Sequence, residues 1–222
     1  MPSKTIVNGT LNTLSAQQNL AADDNLFVVN CQTPGTAIAY AALTAFSATA
    51  NGLFVISNNE NVGGKNIVLH RLDLFQTASV ATGTTWSFEA YNETGIVAGT
   101  TAVITRTAIN VHNGSALNGT VQAFNAGAIT IPAAVGTRQL VGQGWIPIGV
   151  NVVKDVYTME FGADGPAAAK TGLTAARATD VARLVGQMPA VVIKPQTTTW
   201  LNLWGCGTSA PSFEYSLVLS QV

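Results

Sequence analysis

The chain has 222 residues, of which only 10 are Lys or Arg and 11 are Asp or Glu, for a net charge of −1. Soluble domains average about 25% charged residues, so roughly 55 would be usual at this length. The near-neutral balance excludes a basic footprint for nucleic acid or anionic lipid, and no stretch approaches the roughly 20 apolar residues of a membrane-spanning helix.

The first residues, Met1 to Thr10, contain no apolar core of a secretory signal, so synthesis in a cytoplasm is expected. Sequons at Asn8, Asn92, Asn113 and Asn118 then have no glycosylation role, and Cys31 and Cys206 are expected as unlinked thiols.

Period-two alternation runs through most of the chain. Leu26–Cys31 and Leu53–Ser57 are candidate strands, and Ala37–Ala50 between them reads as a short helix or an irregular strand. From Ile67 to Phe75, strict alternation places Val68, His70, Leu72 and Leu74 on one face and Ile67, Leu69, Arg71, Asp73 and Phe75 on the other. Thr85–Tyr91 sets Trp86, Phe88 and Ala90 against Ser87, Glu89 and Tyr91. Further strands are expected at Thr101–Thr107, Ile109–His112, Thr120–Phe124, Ala128–Ile131, Gln139–Ile148 and Asp155–Phe161. Thr171–Gln187 carries Ala175, Ala178, Ala182 and Val185 at helical spacing and reads equally as a helix or as a loop followed by a strand. Ala190–Lys194 and Thr198–Trp204 follow, and the last strand sets Phe213, Tyr215, Leu217 and Leu219 against Glu214, Ser216, Val218 and Ser220. Turn signals such as Asn58-Asn59, Gly63-Gly64, Asn113-Gly114 and Asn118-Gly119 separate these segments. Roughly thirteen short strands with almost no helical spacers predict an all-β chain, an antiparallel, jelly-roll-like β-sandwich with one or two short helices at most. One domain over residues 1–222 is expected, with a split near residue 115 as the weaker division. The inward set Val68, Leu72, Leu74, Trp86, Phe88, Phe213, Tyr215, Leu217 and Leu219 is the expected core.

Catalytic chemistry finds little footing. The only histidines, His70 and His112, read as structural, since no nucleophile motif accompanies them. Asp23-Asp24 could hold Ca²⁺ but reads first as a solvated turn or cap. Glu60, Glu89, Glu93, Asp155, Glu160, Asp164 and Glu214 are the carboxylates from which a glycosidase pair would be drawn, and spacing singles out none. Gly63-Gly64 and Gly205-Cys206-Gly207 lack the Lys-Ser/Thr of a phosphate loop and read as turns. Trp200 and Trp204 share a strand face; a sugar- or base-binding platform is one reading and a core layer the expected one. No catalytic residue, metal or cofactor is expected.

The Ala/Thr/Gly/Asn-rich, charge-poor composition, the strand from Gly64 to Leu74 and the proline-bounded hairpin from Met188 to Gly205 resemble bacteriophage virion proteins of the β-sandwich or jelly-roll type. That resemblance implies a capsid decoration or minor capsid protein located in the virion. Its partners would be copies of itself, as a trimer or another ring, and other capsid proteins. A single-jelly-roll major capsid protein and a glycan-binding module or adhesin are the alternatives. No functional residue transfers through the resemblance. The composition agrees with it, because a sparsely charged surface suits a chain covered by neighbouring subunits.

Overall fold

The computed structural model describes residues 4–7, 10–13, 16–31, 33–78, 85–134, 136–147, 153–162 and 183–222. Among the described residues the structure is nearly all β with one short helix, built as two antiparallel-rich sheets packed face to face. In chain order the elements are β1 (Lys4–Val7), β2 (Thr10–Thr13), α1 (Ala16–Ala22), β3 (Leu26–Asn30), β4 (Ile38–Ala39), β5 (Gly52–Asn58), β6 (Ile67–Ala78), β7 (Thr85–Thr94) and β8 (Val103–Arg106). They continue with β9 (Ile109–Asn110), β10 (Gly119–Phe124), β11 (Arg138–Pro147), β12 (Val156–Phe161), β13 (Arg183–Met188), β14 (Val192–Ile193), β15 (Thr197–Trp204) and β16 (Ser212–Gln221).

The first sheet runs β11-β7-β15-β5-β10-β8; the second runs β13-β12-β6-β16-β3-β9, with β14 on β6 and β4 on β16, and β1 and β2 form a separate hairpin. From β5 to β7 the chain switches sheet at every strand. The last two long strands then insert centrally, β15 between β5 and β7 and β16 between β3 and β6. This wrapping gives the jelly-roll character. Strands from both sides of residue 115 interleave in each sheet, so no domain division falls there. One pair departs from the antiparallel rule: β12 and β13 run parallel.

The space between the sheets is filled by aromatic rings. Trp86 lies 4.4 Å from Tyr157 and 5.2 Å from Phe213, and Tyr215 meets Phe54 edge-on at 5.0 Å. Leu72, Leu74, Phe88, Leu217 and Leu219 are buried beside them, as their alternation predicts.

Val68 is not part of this layer. Ile67 and Leu69 are buried instead, while Leu72 and Leu74 keep their expected direction. Opposite β16 the register steps from Arg71↔Val218 to Leu69↔Leu219, so His70 is an extra residue on β6. A bulge of this kind reverses the parity of everything on one side of it. Local alternation could not show this, because Ile67, Val68 and Leu69 are all apolar.

Several further expectations are decided or corrected by the structure. Of the two readings of Ala37–Ala50, the irregular strand holds: the segment carries the two-residue β4 and irregular chain, with no helix. Ala128–Ile131 makes isolated bridges, Ile129 to Gly52 and Thr130 to Thr100, and not a strand. Of Thr171–Gln187, Arg183–Gln187 belongs to β13, and Ala175, Ala178 and Ala182 lie outside the described residues. The one described helix, α1, was not predicted. It caps into Asp23-Asp24, with Asp23 N donating to the Asn19 carbonyl at 2.9 Å and Asp24 in the left-handed region at φ 56°. Asp24 then pairs with His112 at 2.6 Å, so the acidic pair ends a helix, the turn-or-cap reading the sequence favours.

One flank of the sandwich is drawn shut where β11 crosses β13, and two glycines allow it. A Cβ on Gly144 would lie 2.4 Å from the Gln187 carbonyl oxygen, and one on Gly186 would lie 2.8 Å from that of Trp145. Both obstacles are backbone, which cannot rotate away. Gly144→Ala should therefore destabilise by about 1–3 kcal/mol by forcing the two edges apart. A denaturation midpoint equal to the parent's would contradict this.

Candidate functional site

The outer face of the first sheet is where polar chemistry concentrates. Alternation predicts a wet face for Ser87, Glu89 and Tyr91, yet Ser87 and Glu89 are buried. Loops fold over this face as a third layer. Val97 N donates to Thr198 Oγ1 at 3.1 Å, Arg138 Nη2 to the Pro132 carbonyl at 3.1 Å, and Gly205 N and Cys206 N both to the Leu43 carbonyl.

Register across β11, β7 and β15 arranges the face in rows: Arg138–Glu93–Thr198, Leu140–Tyr91–Trp200, Gln143–Glu89–Asn202 and Trp145–Ser87–Trp204. Trp200 and Trp204 do share a face, but it is this outer one and not the layer between the sheets. Trp200 is fully buried and belongs to the core cluster, as expected, whereas Trp204 is partly exposed, so the core expectation is corrected for Trp204. Trp145, which spacing did not link to either, is 54% exposed. Phe46 lies over Tyr91 at 6.4 Å and Trp204 at 6.2 Å.

Two carboxylates sit in these rows. Glu93 Oε2 accepts from Arg138 Nε at 2.9 Å, Arg138 Nη2 at 2.5 Å and Trp200 Nε1 at 3.2 Å. Glu89 Oε1 accepts from Trp204 Nε1 at 2.6 Å, while its Oε2, both polar atoms of Asn202 and Oδ1 of Asn51 are buried without a partner. Burial pushes the Glu89 carboxyl up from 4.5 to about 7, with the Trp204 bond opposing the rise. A carboxyl titrating near neutrality can act as a general acid or base. Among the described residues the second carboxylate on this face is Glu93, four strand positions away, about 13 Å, beyond both glycosidase separations.

The folded chain thus holds the Glu89 proton more tightly than the unfolded chain does. The stability this contributes is full below about pH 4.5, declines between 4.5 and 7, and is gone above 7. With partial solvent screening the fall should be about 1–3 kcal/mol. Glu89→Gln, which keeps an acceptor for Trp204, should flatten that slope. Thermal unfolding at pH 5 and pH 8 measures it.

The other candidates are dispersed. His70 Nε2 meets Ser220 Oγ at 2.8 Å, which resembles a base and nucleophile, but Ser220 is buried and no carboxylate orients the ring. Burial also lowers the His70 pKa. Glu60 accepts from Gln221 Nε2 and Glu214 from Gly35 N, both at 2.8 Å; Asp155 is buried in the turn before β12, and Asp164 lies outside the described residues. Gly63-Gly64 lies in a turn, whereas Gly205–Gly207 is irregular chain in which Gly205 and Gly207 have φ of 85° and 75°. Cys31 and Cys206 are unlinked, and burial raises the Cys206 thiol to about 12. Among the described residues, no three His, Cys, Asp or Glu side chains converge as metal ligands. No helix among them is long and apolar enough to cross a membrane.

No protein-family model matches this chain, and no curated protein or solved structure matches it either.

Proposed function

We propose that this chain is a non-catalytic structural protein of a bacteriophage virion, a capsid decoration or minor capsid component that assembles with copies of itself and binds the capsid surface. The observation that carries the reading is the exposed apolar strip on β11 and the loop beside it. Leu140 is 51% exposed and Trp145 54%, and Phe46 is 44% exposed over Tyr91 and Trp204. Gln143, exposed between Leu140 and Trp145, is neutral, so no charge between them opposes contact with a second apolar surface. A subunit face that is covered in an assembly has that composition.

The test is the assembly state. The purified chain should form a defined oligomer burying well over about 1,000 Å² per contact, and raising the salt should leave it intact because little of the contact is Coulombic. Leu140→Asp with Trp145→Asp should give a folded monomer with an unchanged circular dichroism spectrum. A parent chain that stays monomeric at high concentration and binds no particle would overturn the proposal. If that monomer also held an oligosaccharide against Trp145 and Trp204, the glycan-binding module would take its place.

A further inference from the structure

A cavity of about 370 Å³ opens at one end of the sandwich, where β7 ends, β11 and β15 begin, and the turn from Lys194 to Thr197 passes. The size falls within the range of small-ligand sites. Its walls are strand ends, which hold side chains more rigidly than free loops do.

The charges in this cavity are unevenly committed. Glu93, its only carboxylate, is fully buried and held by both Arg138 nitrogens and by Trp200, so it presents no open negative charge to a ligand. The Lys194 ammonium, the Gln139 carboxamide and the Thr137 hydroxyl make no hydrogen bond or ion pair among the described residues. The open lining is therefore one cation with hydroxyl and amide groups around it.

The turn that carries Lys194 is fixed with unusual care. Gln196 has φ 60° after Pro195, a place where glycine is the usual residue. Its side chain donates to the Glu60 carbonyl at 2.7 Å, and its own carbonyl accepts from Gly95 N at 3.1 Å. Thr197 Oγ1 closes the turn onto the Lys194 carbonyl at 2.8 Å. Strained backbone held by several bonds at the rim of a cavity is the kind of feature that functional sites retain.

We infer that this cavity binds a carboxylated sugar, a uronic or sialic acid residue. The carboxylate pairs with Lys194, and the ring hydroxyls exchange hydrogen bonds with Gln139, Thr137 and Thr94. A phosphate group fits less well. It calls for several donors or an arginine fork, and the fork of Arg138 is committed to Glu93. The inference does not depend on the virion reading, since the cavity lies within one subunit.

Titration of the full chain with glucuronate, glucose and inorganic phosphate, followed by amide chemical shifts, tests it. Glucuronate should shift the Thr94, Thr137, Gln139 and Lys194 amides with a dissociation constant near the millimolar range, and glucose should bind at least about 10-fold more weakly. Lys194→Gln should lower glucuronate affinity about 10-fold or more, the effect of removing one charge-assisted bond, and leave the weak glucose response unchanged. Gln139→Ala should weaken both sugars. Any of three results would overturn the inference: no glucuronate response at tens of millimolar, binding unaffected by Lys194→Gln, or phosphate binding as tightly as glucuronate with the same Lys194 dependence. Both variants change exposed side chains, so loss of the fold would not confuse the result.

Discussion

Replacing Phe213 with alanine is expected to cost the fold about 3–5 kcal/mol. Phe213 lies on β16, which is paired on both sides, and its ring stands 5.2 Å from Trp86, 6.3 Å from Tyr157, 6.4 Å from Phe124 and 6.5 Å from Tyr40. Those rings are anchored on both sheets and cannot close together over the space an alanine leaves. The loss combines the transfer energy of the benzyl group with the cavity that remains. Single domains are stable by only about 5–15 kcal/mol, so the variant should be close to unfolding at ambient temperature. Phe213→Leu leaves a smaller void and should cost clearly less. Phe46→Ala, at a ring nearly half exposed, should cost about 1 kcal/mol at most. Chemical denaturation of the three variants orders them, and equal midpoints for Phe213→Ala and Phe46→Ala would contradict the aromatic layer described above.

A loss of similar size is expected from Arg138→Met. Glu93 is completely buried, and Arg138 supplies two of its hydrogen bonds while stacking its guanidinium 5.3 Å from the Trp200 ring centre. Removing the cation takes two charge-assisted hydrogen bonds from a fully buried carboxylate. Breaking a buried pair from one side costs about 3–5 kcal/mol. Replacing both members is much milder, so Glu93→Gln combined with Arg138→Met should regain most of the loss. A single variant no worse than the double would show that the pair adds nothing to the fold.

Much of this architecture was legible along the chain. The runs Ile67–Phe75, Thr85–Tyr91 and Phe213–Ser220 alternate strongly, and each is a strand of the sandwich. Trp86, Phe88, Phe213, Tyr215, Leu217 and Leu219 face inward as their parity requires, because a pleated strand with one buried face leaves that pattern locally. β13 was less legible: Arg183–Met188 has the same alternation, but the Ala-rich stretch before it competes as a helix, and only pairing with β12 favours the strand. The short α1 left no signal because seven residues of Ala, Gln, Asn and Leu carry no apolar stripe long enough to read.

The polar cluster was not legible at all. Glu89 and Glu93 were two carboxylates among seven, and Trp200 and Trp204 read as core. What distinguishes them is contact across more than a hundred residues: Trp204 meets Glu89 at a separation of 115 and Trp200 meets Glu93 at 107.

Composition and alternation alone determined the scarcity of charge, the all-β class and the inward side of β7 and β16, since these depend on residue type and on the two-residue repeat of a single strand. Tertiary structure decided the bulge at His70, the third layer over the outer face, and the placing of Glu89 beside Asn202 and Trp204. Those depend on strand register and loop packing between segments far apart in the chain, and a local repeat carries no information about which distant strand will lie alongside it.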